Sequence, residues 1–251
     1  MTLFVSDMHF GRGSRAEERA SEAALVACLR TYETTVERLY LVGDVFDEYI
    51  EYRTLIPKGF VRFQALLADW TDRRVPVTYL VGNHDPWHRD YFEHELGVRL
   101  VFDDLIEIVG GRTIYLRHGD GIAPTSRAYR WVKPWLRHPV PVWLYRSLLP
   151  ADAGFRLARW VNKRMRDKDV EPEIVDGLRT HARRILAETP ADLAVMGHSH
   201  QPEMCIWPEG VYLNTGCWYQ ARTFAGLDHD GPKLLHWNGE QAIDVDQETW
   251  A

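Results

Sequence analysis

A chain of 251 residues is long enough for one large α/β domain or two small ones, each with a buried core. Hydrophobic residues make up 45% and charged residues 26%, the balance of a soluble globular protein, and a net charge of −6 argues against general nucleic-acid binding. Three cysteines, Cys28, Cys205 and Cys217, are widely spaced with no CxxC pair, which excludes a disulfide framework and points to a reducing compartment. With no leader-like pattern and no apolar run near the roughly 20 residues of a spanning helix, the expected location is cytoplasmic.

In chain order, the first predicted element is a short strand, Leu3-Phe4-Val5. A helix follows to about Arg30, opened by the capping-box pattern Ser14-Arg15-Ala16-Glu17. The run Leu39-Tyr40-Leu41-Val42 reads as a second strand, and a helical pattern covers roughly Gly59 to Thr71. Val77-Thr78-Tyr79-Leu80-Val81 is the third strand. This β-α-β-α-β opening implies parallel strands with crossover helices. Leu105 to Leu116 reads as a hairpin about Gly110-Gly111, with Thr113 to Leu116 as its second strand. From Ala123 to about Glu188 no good strand occurs; helices broken at Pro134, Pro139, Pro141, Pro150 and Pro172 are expected. Leu193 to Met196 is a further strand, followed by short β pieces near Val211–Asn214 and Leu234–Trp237. No linker divides the chain, so one domain over 1–251 with a helical insertion over about 123–188 is expected.

Five of these strands run directly into polar clusters. They are Asp7-Met8-His9, Gly43-Asp44-Val45-Phe46-Asp47, Gly82-Asn83-His84-Asp85, His118-Gly119-Asp120 (through Arg117) and Gly197-His198-Ser199-His200. The carboxyl ends of strands in an open α/β sheet form the ligand crevice, so these residues should converge. Asp7/His9 and His198/His200 are i, i+2 pairs, which extended backbone would point the same way. Gly43, Gly82 and Gly197 fall where the backbone must turn or approach the site closely. Oxygen and imidazole ligands without thiolate suit manganese, with zinc, iron and cobalt as alternatives. Seven candidates (Asp7, His9, Asp44, Asn83, His118, His198 and His200) are too many for one tetrahedral ion and suit two divalent ions sharing a carboxylate. Such a pair keeps net positive charge and favours a phosphoryl substrate. Each cluster alone is an ordinary turn motif; five in order after strands are not. His88, His94, His138, His181, His229 and His236 match no motif and are expected at the surface or in the core, and Cys205 and Cys217 are expected to be packed.

The set D-x-H, GD-x-x-D, GNH-D, H and GH-x-H, in order from Asp7 to His200, resembles the calcineurin-like metallophosphoesterases. The resemblance implies a two-sheet αββα sandwich. It further implies that Asp7, His9, Asp44 and His200 hold one metal and Asp44, Asn83, His118 and His198 the other. His84 would contact the phosphate or assist the leaving group, oriented by Asp47 or Asp85.

Within that superfamily the chain is similar to the UDP-2,3-diacylglucosamine diphosphatases of lipid A synthesis. The similarity lies in its length, in Leu41-Val-Gly-Asp-Val-Phe46, and in the insertion between His118 and His198, which in that family caps acyl chains. The implied reaction cleaves a lipid-linked sugar-nucleotide pyrophosphate into UMP and a lipid sugar 1-phosphate. The alternative is a soluble metallophosphoesterase acting on a nucleotide, phosphoprotein or other phosphodiester. Best-known members of that group carry Arg where this chain has His84. Between Ala123 and Lys168 eleven basic residues face two acidic ones, among Trp131, Trp135, Trp143, Leu148 and Trp160. Aromatic and basic residues together suit an anionic lipid surface, so peripheral contact with the inner face of the cell membrane is expected; a core-facing apolar stripe with a solvated basic face is the plainer alternative. Arg117 and Asp120, beside His118, and Arg127, Arg130 and Trp131, in the insertion, are the candidate substrate contacts.

Overall fold

The computed structural model describes residues 1–123, 131, 134–165 and 172–245, with side chains left out at 163–165. Twelve strands among these residues form two sheets. The first has seven strands, β1 (Thr2–Val5), β2 (Arg38–Val42), β3 (Val77–Leu80), β4 (Arg99–Val101), β10 (Thr223–Asp228), β11 (Gly231–Trp237) and β12 (Ala242–Asp244), ordered β12-β11-β10-β1-β2-β3-β4. β1 through β4 run parallel, as the β-α-β opening requires, and β10 closes antiparallel on β1. The second sheet has five strands, β5 (Leu105–Val109), β6 (Arg112–Leu116), β7 (Leu193–Met196), β8 (Pro202–Trp207) and β9 (Gly210–Thr215), ordered β5-β6-β7-β9-β8. β5 and β6 form the expected hairpin, and β6, β7 and β9 are mutually parallel.

Strand periodicity sorts the core into three layers. Phe4, Tyr40, Val42 and Leu80 point inward and meet Ile114, Leu116, Val195 and Leu213 between the sheets. The alternate residues Leu3, Val5, Leu39 and Leu41 face outward. They pack on Leu25 and Leu29 of α1 (Arg15–Arg30) and on Phe63, Leu67 and Trp70 of α2 (Val61–Asp72). α1 starts at the expected capping box: Ser14 Oγ accepts from the Glu17 N–H, and the Glu17 carboxylate accepts from the Ser14 N–H at 2.7 Å. A short α3 (Tyr91–His94) precedes β4.

Between β6 and β7, the described residues include α4 (Pro139–Leu148) and α5 (Ala151–Met165), within the stretch 123–188. Pro150 separates them, but Pro139 and Pro141 do not break a helix. Both sit in the first turn of α4, where a missing N–H leaves no intrahelical bond unmade. The following α6 (Pro172–Glu188) occupies the last part of the 123–188 stretch. It buries Val175, Leu178, Ala182 and Leu186, with Tyr115, Ala194, Met196 and Tyr212 of the second sheet in the same cluster. It is therefore the outer helical layer on that side, and the four layers run α-β-β-α. A last short helix, α7 (Trp218–Ala221), follows β9. Among the described residues no helix is long and apolar enough to cross a membrane.

Candidate metal centre

The loops leaving β1, β2, β3, β6 and β7 meet at one edge of the sandwich and bring the seven candidate ligands into two adjoining groups. In the first, Asp7 Oδ1 lies 3.7 Å from His9 Nε2 and 3.3 Å from His200 Nε2, and the two Nε2 atoms are 3.1 Å apart. In the second, His118 Nε2 lies 3.1 Å from Asp44 Oδ2 and 3.2 Å from Asn83 Oδ1, and ligand atoms of Asp44, His118 and His198 fall within 4.8 Å of one another. Asp44 also groups with His9 and His84 at the same spacing, so its carboxylate stands between the two groups.

Backbone geometry gathers these side chains by a different route from the expected one. Extended i, i+2 pairing does not operate. Asp7, His9, Asp44, His198 and His200 all have φ between 46° and 67°, the left-handed region. Non-glycine residues there cost of order 1–3 kcal/mol each and persist only where surrounding structure holds them. Ladders between the loops provide the hold. The Asp7 N–H donates to Gly43 O at 3.1 Å, His9 N–H to Asp44 O at 3.0 Å, Gly197 N–H to His118 O at 3.0 Å and Tyr219 N–H to Asp7 O at 3.2 Å. The three glycines make room. A Cβ at Gly43 would collide with the His118 ring, at Gly82 with the Asp44 carboxylate and backbone, and at Gly197 with Ser6 Oγ and Asp7 Oδ2.

The donor set fits divalent cations. Asp7 Oδ1 is fully buried and forms no hydrogen bond, while Oδ2 is engaged by Ser6 Oγ and by the His198 N–H at 3.0 Å. An orphaned carboxylate oxygen facing two imidazole nitrogens is costly to bury and is satisfied by a cation among them. Burial alone would push the Asp7 carboxyl up. The imidazoles of His200 and His9 outweigh it and hold the carboxyl well below the ordinary range. Burial opposes the charge on Asp44 too, and His118 and His84 overcome it, lowering its pKa. His118 is the partner of that interaction: despite burial, Asp44 pushes it up to about 10. Burial pushes His198 down to about 4, so its imidazole is neutral and ready to ligate at pH 7.

His84 lies beside this centre. Its Nδ1 is 3.1 Å from the Asp47 carbonyl, and the Asp47 carboxylate is farther, at 3.9 Å. That carboxylate instead stands 3.5 Å from His9 Nδ1, the ring nitrogen opposite the cluster, where it orients a candidate ligand. Asp85 does not orient His84. Its buried carboxylate accepts from the N–H groups of Val45 at 2.7 Å, Phe46 at 3.3 Å and Gly82 at 2.8 Å and from the Tyr79 hydroxyl, tying the β2 and β3 loops together.

The expected substrate contacts separate. Arg117 and Asp120 line a cleft of about 370 Å³ beside His118, with Phe102, Asp103, Asp104 and Arg137 among the other walls. Arg117 is 2.9 Å from the Asp104 carboxylate and Asp120 is 3.8 Å from Arg137. Trp131 is 82% exposed, and Arg127 and Arg130 lie outside the described residues. His88 is buried against Tyr49 and Tyr79, and His229 is exposed. Cys217 is packed, with its thiol donating to Asp7 O at 3.2 Å, whereas Cys205 is partly exposed. Sequence reasoning did not single out Arg12, whose guanidinium lies 5.4 Å from the ring centroid of Tyr219, the residue whose N–H donates to Asp7 O. The Gly11-Arg12-Gly13 loop just after the Asp7/His9 pair was its signal: Glu18 accepts from the N–H of Gly11 at 2.8 Å and Gly13 at 2.5 Å and fixes that loop. Asn162 of α5 carried no signal, because it acts on a backbone carbonyl.

The family described as calcineurin-like phosphoesterase matches residues 1–202. A protein from Porphyromonas gingivalis (strain ATCC BAA-308 / W83) named UDP-2,3-diacylglucosamine hydrolase is 32% identical, over 90% of this chain and 93% of its own. Proteins of the same name from Stutzerimonas stutzeri (strain A1501) and Vibrio parahaemolyticus serotype O3:K6 (strain RIMD 2210633) are 29% and 26% identical. They cover 80% and 93% of this chain and 82% and 96% of their own. Among solved structures, Yfce, a phosphoesterase from E. coli, aligns over 98% of this chain and 99% of its own at 14% identity and a TM-score of 0.48. The chain belongs to the calcineurin-like phosphoesterase family and is a metal-dependent phosphoester or pyrophosphate hydrolase.

Proposed function

We propose that this calcineurin-like phosphoesterase hydrolyses the pyrophosphate bond of UDP-2,3-diacylglucosamine, releasing UMP and the lipid sugar 1-phosphate. The names of its relatives support the substrate. The observation that carries the reading is the insertion. Trp131, Trp135, Trp143, Leu144, Leu148 and Trp160 are all exposed, Leu148 by 73%. They do not form the sealed core that a purely structural helical stripe would make. Apolar surface of this kind, set among basic residues, marks contact with a lipid or another apolar partner. The insertion is tied to the loops of the metal centre: Trp87 Nε1 donates to Leu136 O at 2.6 Å and Arg146 to Trp87 O at 2.7 Å. Acyl chains gathered there would lie beside the loop that carries Asn83 and His84, and the protein would sit peripherally on the inner face of the cell membrane.

In this reading Asp7, His9, Asp44 and His200 hold one ion and Asp44, Asn83, His118 and His198 the other, with manganese as the metal. Bound, the pair supplies a hydroxide nucleophile and stabilises charge on the phosphoryl group. The chain's own groups do the rest. The Asp47 carboxylate holds the His9 ring from behind. His84, with Nδ1 committed to the Asp47 carbonyl, presents Nε2 to the phosphate or the leaving oxygen. Arg117 and Asp120 contact the substrate from the cleft beside His118, joined by Arg127, Arg130 and Trp131 of the insertion. The test is a substrate panel with Mn²⁺-loaded protein. Efficient release of UMP from UDP-2,3-diacylglucosamine in mixed micelles is expected. Rapid turnover of soluble phosphodiesters with none of the lipid substrate would replace this reading with a soluble phosphoesterase.

A further inference from the structure

Two side chains of the insertion end on backbone carbonyls of the catalytic loops. Asn162, on α5, donates through Nδ2 to Asp47 O at 2.8 Å. The same oxygen is the partner of His84 Nδ1 at 3.1 Å. A carbonyl oxygen has two acceptor directions, and donors from two separate elements fill both, which fixes where that oxygen points. Arg137, just before α4, donates to Phe102 O at 2.8 Å and Gly82 O at 3.1 Å. Gly82 O belongs to the peptide that leads into Asn83 and His84. A planar guanidinium spans two such acceptors in one rigid geometry, which an ammonium cannot do. Docking as such would not need these partners. The insertion already holds Trp87 and packs Tyr145 against it and Phe155 against Tyr52, while Trp131, Trp135, Trp143, Leu148 and Trp160 stay exposed.

We propose that the insertion completes the catalytic loops as well as covering them: Asn162 holds the Asp47 carbonyl, and through it the His84 ring, while Arg137 holds the Gly82 peptide that carries Asn83. Both are positioning residues. The inference rests on the reading of His84 as the group that meets the substrate. It makes a segment expected to bind lipid part of the machinery for any substrate, including one without an acyl chain.

The experiment uses Asn162→Asp, close in shape but unable to donate, with Asn162→Ala and Arg137→Lys beside it. The substrate is bis(p-nitrophenyl) phosphate, which has neither sugar nor acyl chain. Each variant is expected to lose about 10- to 100-fold in kcat, the scale seen when a supporting partner of a site residue is removed. KM should stay within about twofold, and metal content at the wild-type level. In a His84→Ala background, Asn162→Asp should change kcat little further, because its effect runs through that ring. A second readout does not depend on turnover. The side-chain ¹⁵N spectrum of His84 in zinc-loaded protein should show a single Nδ1–H tautomer, and Asn162→Asp should give a mixture.

Unchanged kcat on the small substrate, with KM raised only for UDP-2,3-diacylglucosamine, would make Asn162 a lipid-side contact and overturn the proposal. So would fully additive losses in the double variant, or an unchanged tautomer. If the wild type turns over neither substrate, the hydrolase reading fails separately, and the spectrum still decides whether Asn162 sets the His84 ring.

Discussion

Gly82→Ala tests whether close approach at the glycines shapes the metal centre. Gly82 has no positive φ, so the added methyl meets only a steric problem. It would lie 2.9 Å from Asp44 Cγ and closer still to Asp44 N and Oδ1, where ordinary contact begins at 3.4 Å. Asp44 cannot swing aside freely. It is 1% exposed, its Oδ1 accepts from the His84 N–H at 2.8 Å, and its Oδ2 faces His118 Nε2 at 3.1 Å. Relieving the clash requires moving the carboxylate, and the β2 loop that carries it, by about 1 Å. Overpacking of this size costs about 1–3 kcal/mol in stability. Catalysis should suffer more, because Asp44 stands between both ligand groups and a misplacement near 1 Å costs on the order of 100-fold in rate. The assay is metal content per chain after loading with a slight excess of Mn²⁺, with turnover of bis(p-nitrophenyl) phosphate measured in parallel. Gly110→Ala is the control: φ is +58° in the β5–β6 turn, and its Cβ would meet nothing within 4 Å. It should cost about 1 kcal/mol and no metal. A Gly82→Ala protein with full metal content and turnover within about threefold of wild type would refute the reasoning, since the clash would then have been absorbed without moving the ligand.

His84→Ala should lower kcat by roughly 100- to 10,000-fold with metal content unchanged; parallel loss of both would remove His84 from substrate chemistry. Metal binding should release protons. Asp44 pushes the buried His118 up to about 10 despite the opposing effect of burial, so the metal-free protein carries a proton there at pH 7 that the ion must displace. Apparent affinity should therefore rise about tenfold per pH unit between pH 6 and 9, read by calorimetry in buffers of different ionisation heat; a flat profile would contradict it. Asp85→Ala strands three buried N–H groups of the β2 and β3 loops, and unfolding in urea should show a loss of at least about 3 kcal/mol. Trp143→Ser with Leu148→Ser should weaken co-sedimentation with anionic vesicles severalfold; undiminished binding would take these exposed side chains out of the lipid surface.

Strand ends and ligand residues were legible together because their signals are local. A β-branched or aromatic run stops at Gly or a polar residue, and the next residues are Asp, Asn or His. Convergence of the five loops was expected from the rule that strand carboxyl ends form the ligand crevice, although parallel pairing was read only for the first three strands. The left-handed backbone at Asp7, His9, Asp44, His198 and His200 was not legible, since φ in a loop is imposed by the neighbouring strands and residue type only mildly favours it. Asp47 and Asp85 could not be told apart by type. One reaches a ring nitrogen of His9 and the other collects backbone N–H groups, a difference set by where two loops cross. The stripe Val175, Leu178, Ala182 and Leu186 was present in the sequence, but the absence of strands across the whole stretch hid the point where the insertion ends and the outer layer begins.

The same distinction bears on substrate choice. Ligand residues are read from type because coordination needs specific side-chain atoms, and that argument stops at the phosphoryl group. What lies beyond it is recognised by surface, and the insertion offers exposed apolar surface tied to the loop that carries Asn83 and His84. Its polar side chains, Asn162, Arg137 and Arg146, point back into the catalytic loops, while Trp131, Trp135, Trp143, Leu144, Leu148 and Trp160 are exposed to solvent. A segment that only shielded a soluble substrate would gain by burying those apolar residues, at about 25 cal/mol for each Å² removed from water. Leaving them outside while the polar ones hold the loops suits a protein whose reacting bond is at the metals and whose substrate is anchored in lipid. On the proposed lipid reading, contact with a bilayer would bury the face that folding leaves open while the hydrogen bonds from Asn162 and Arg137 to the Asp47 and Gly82 carbonyls stay in place.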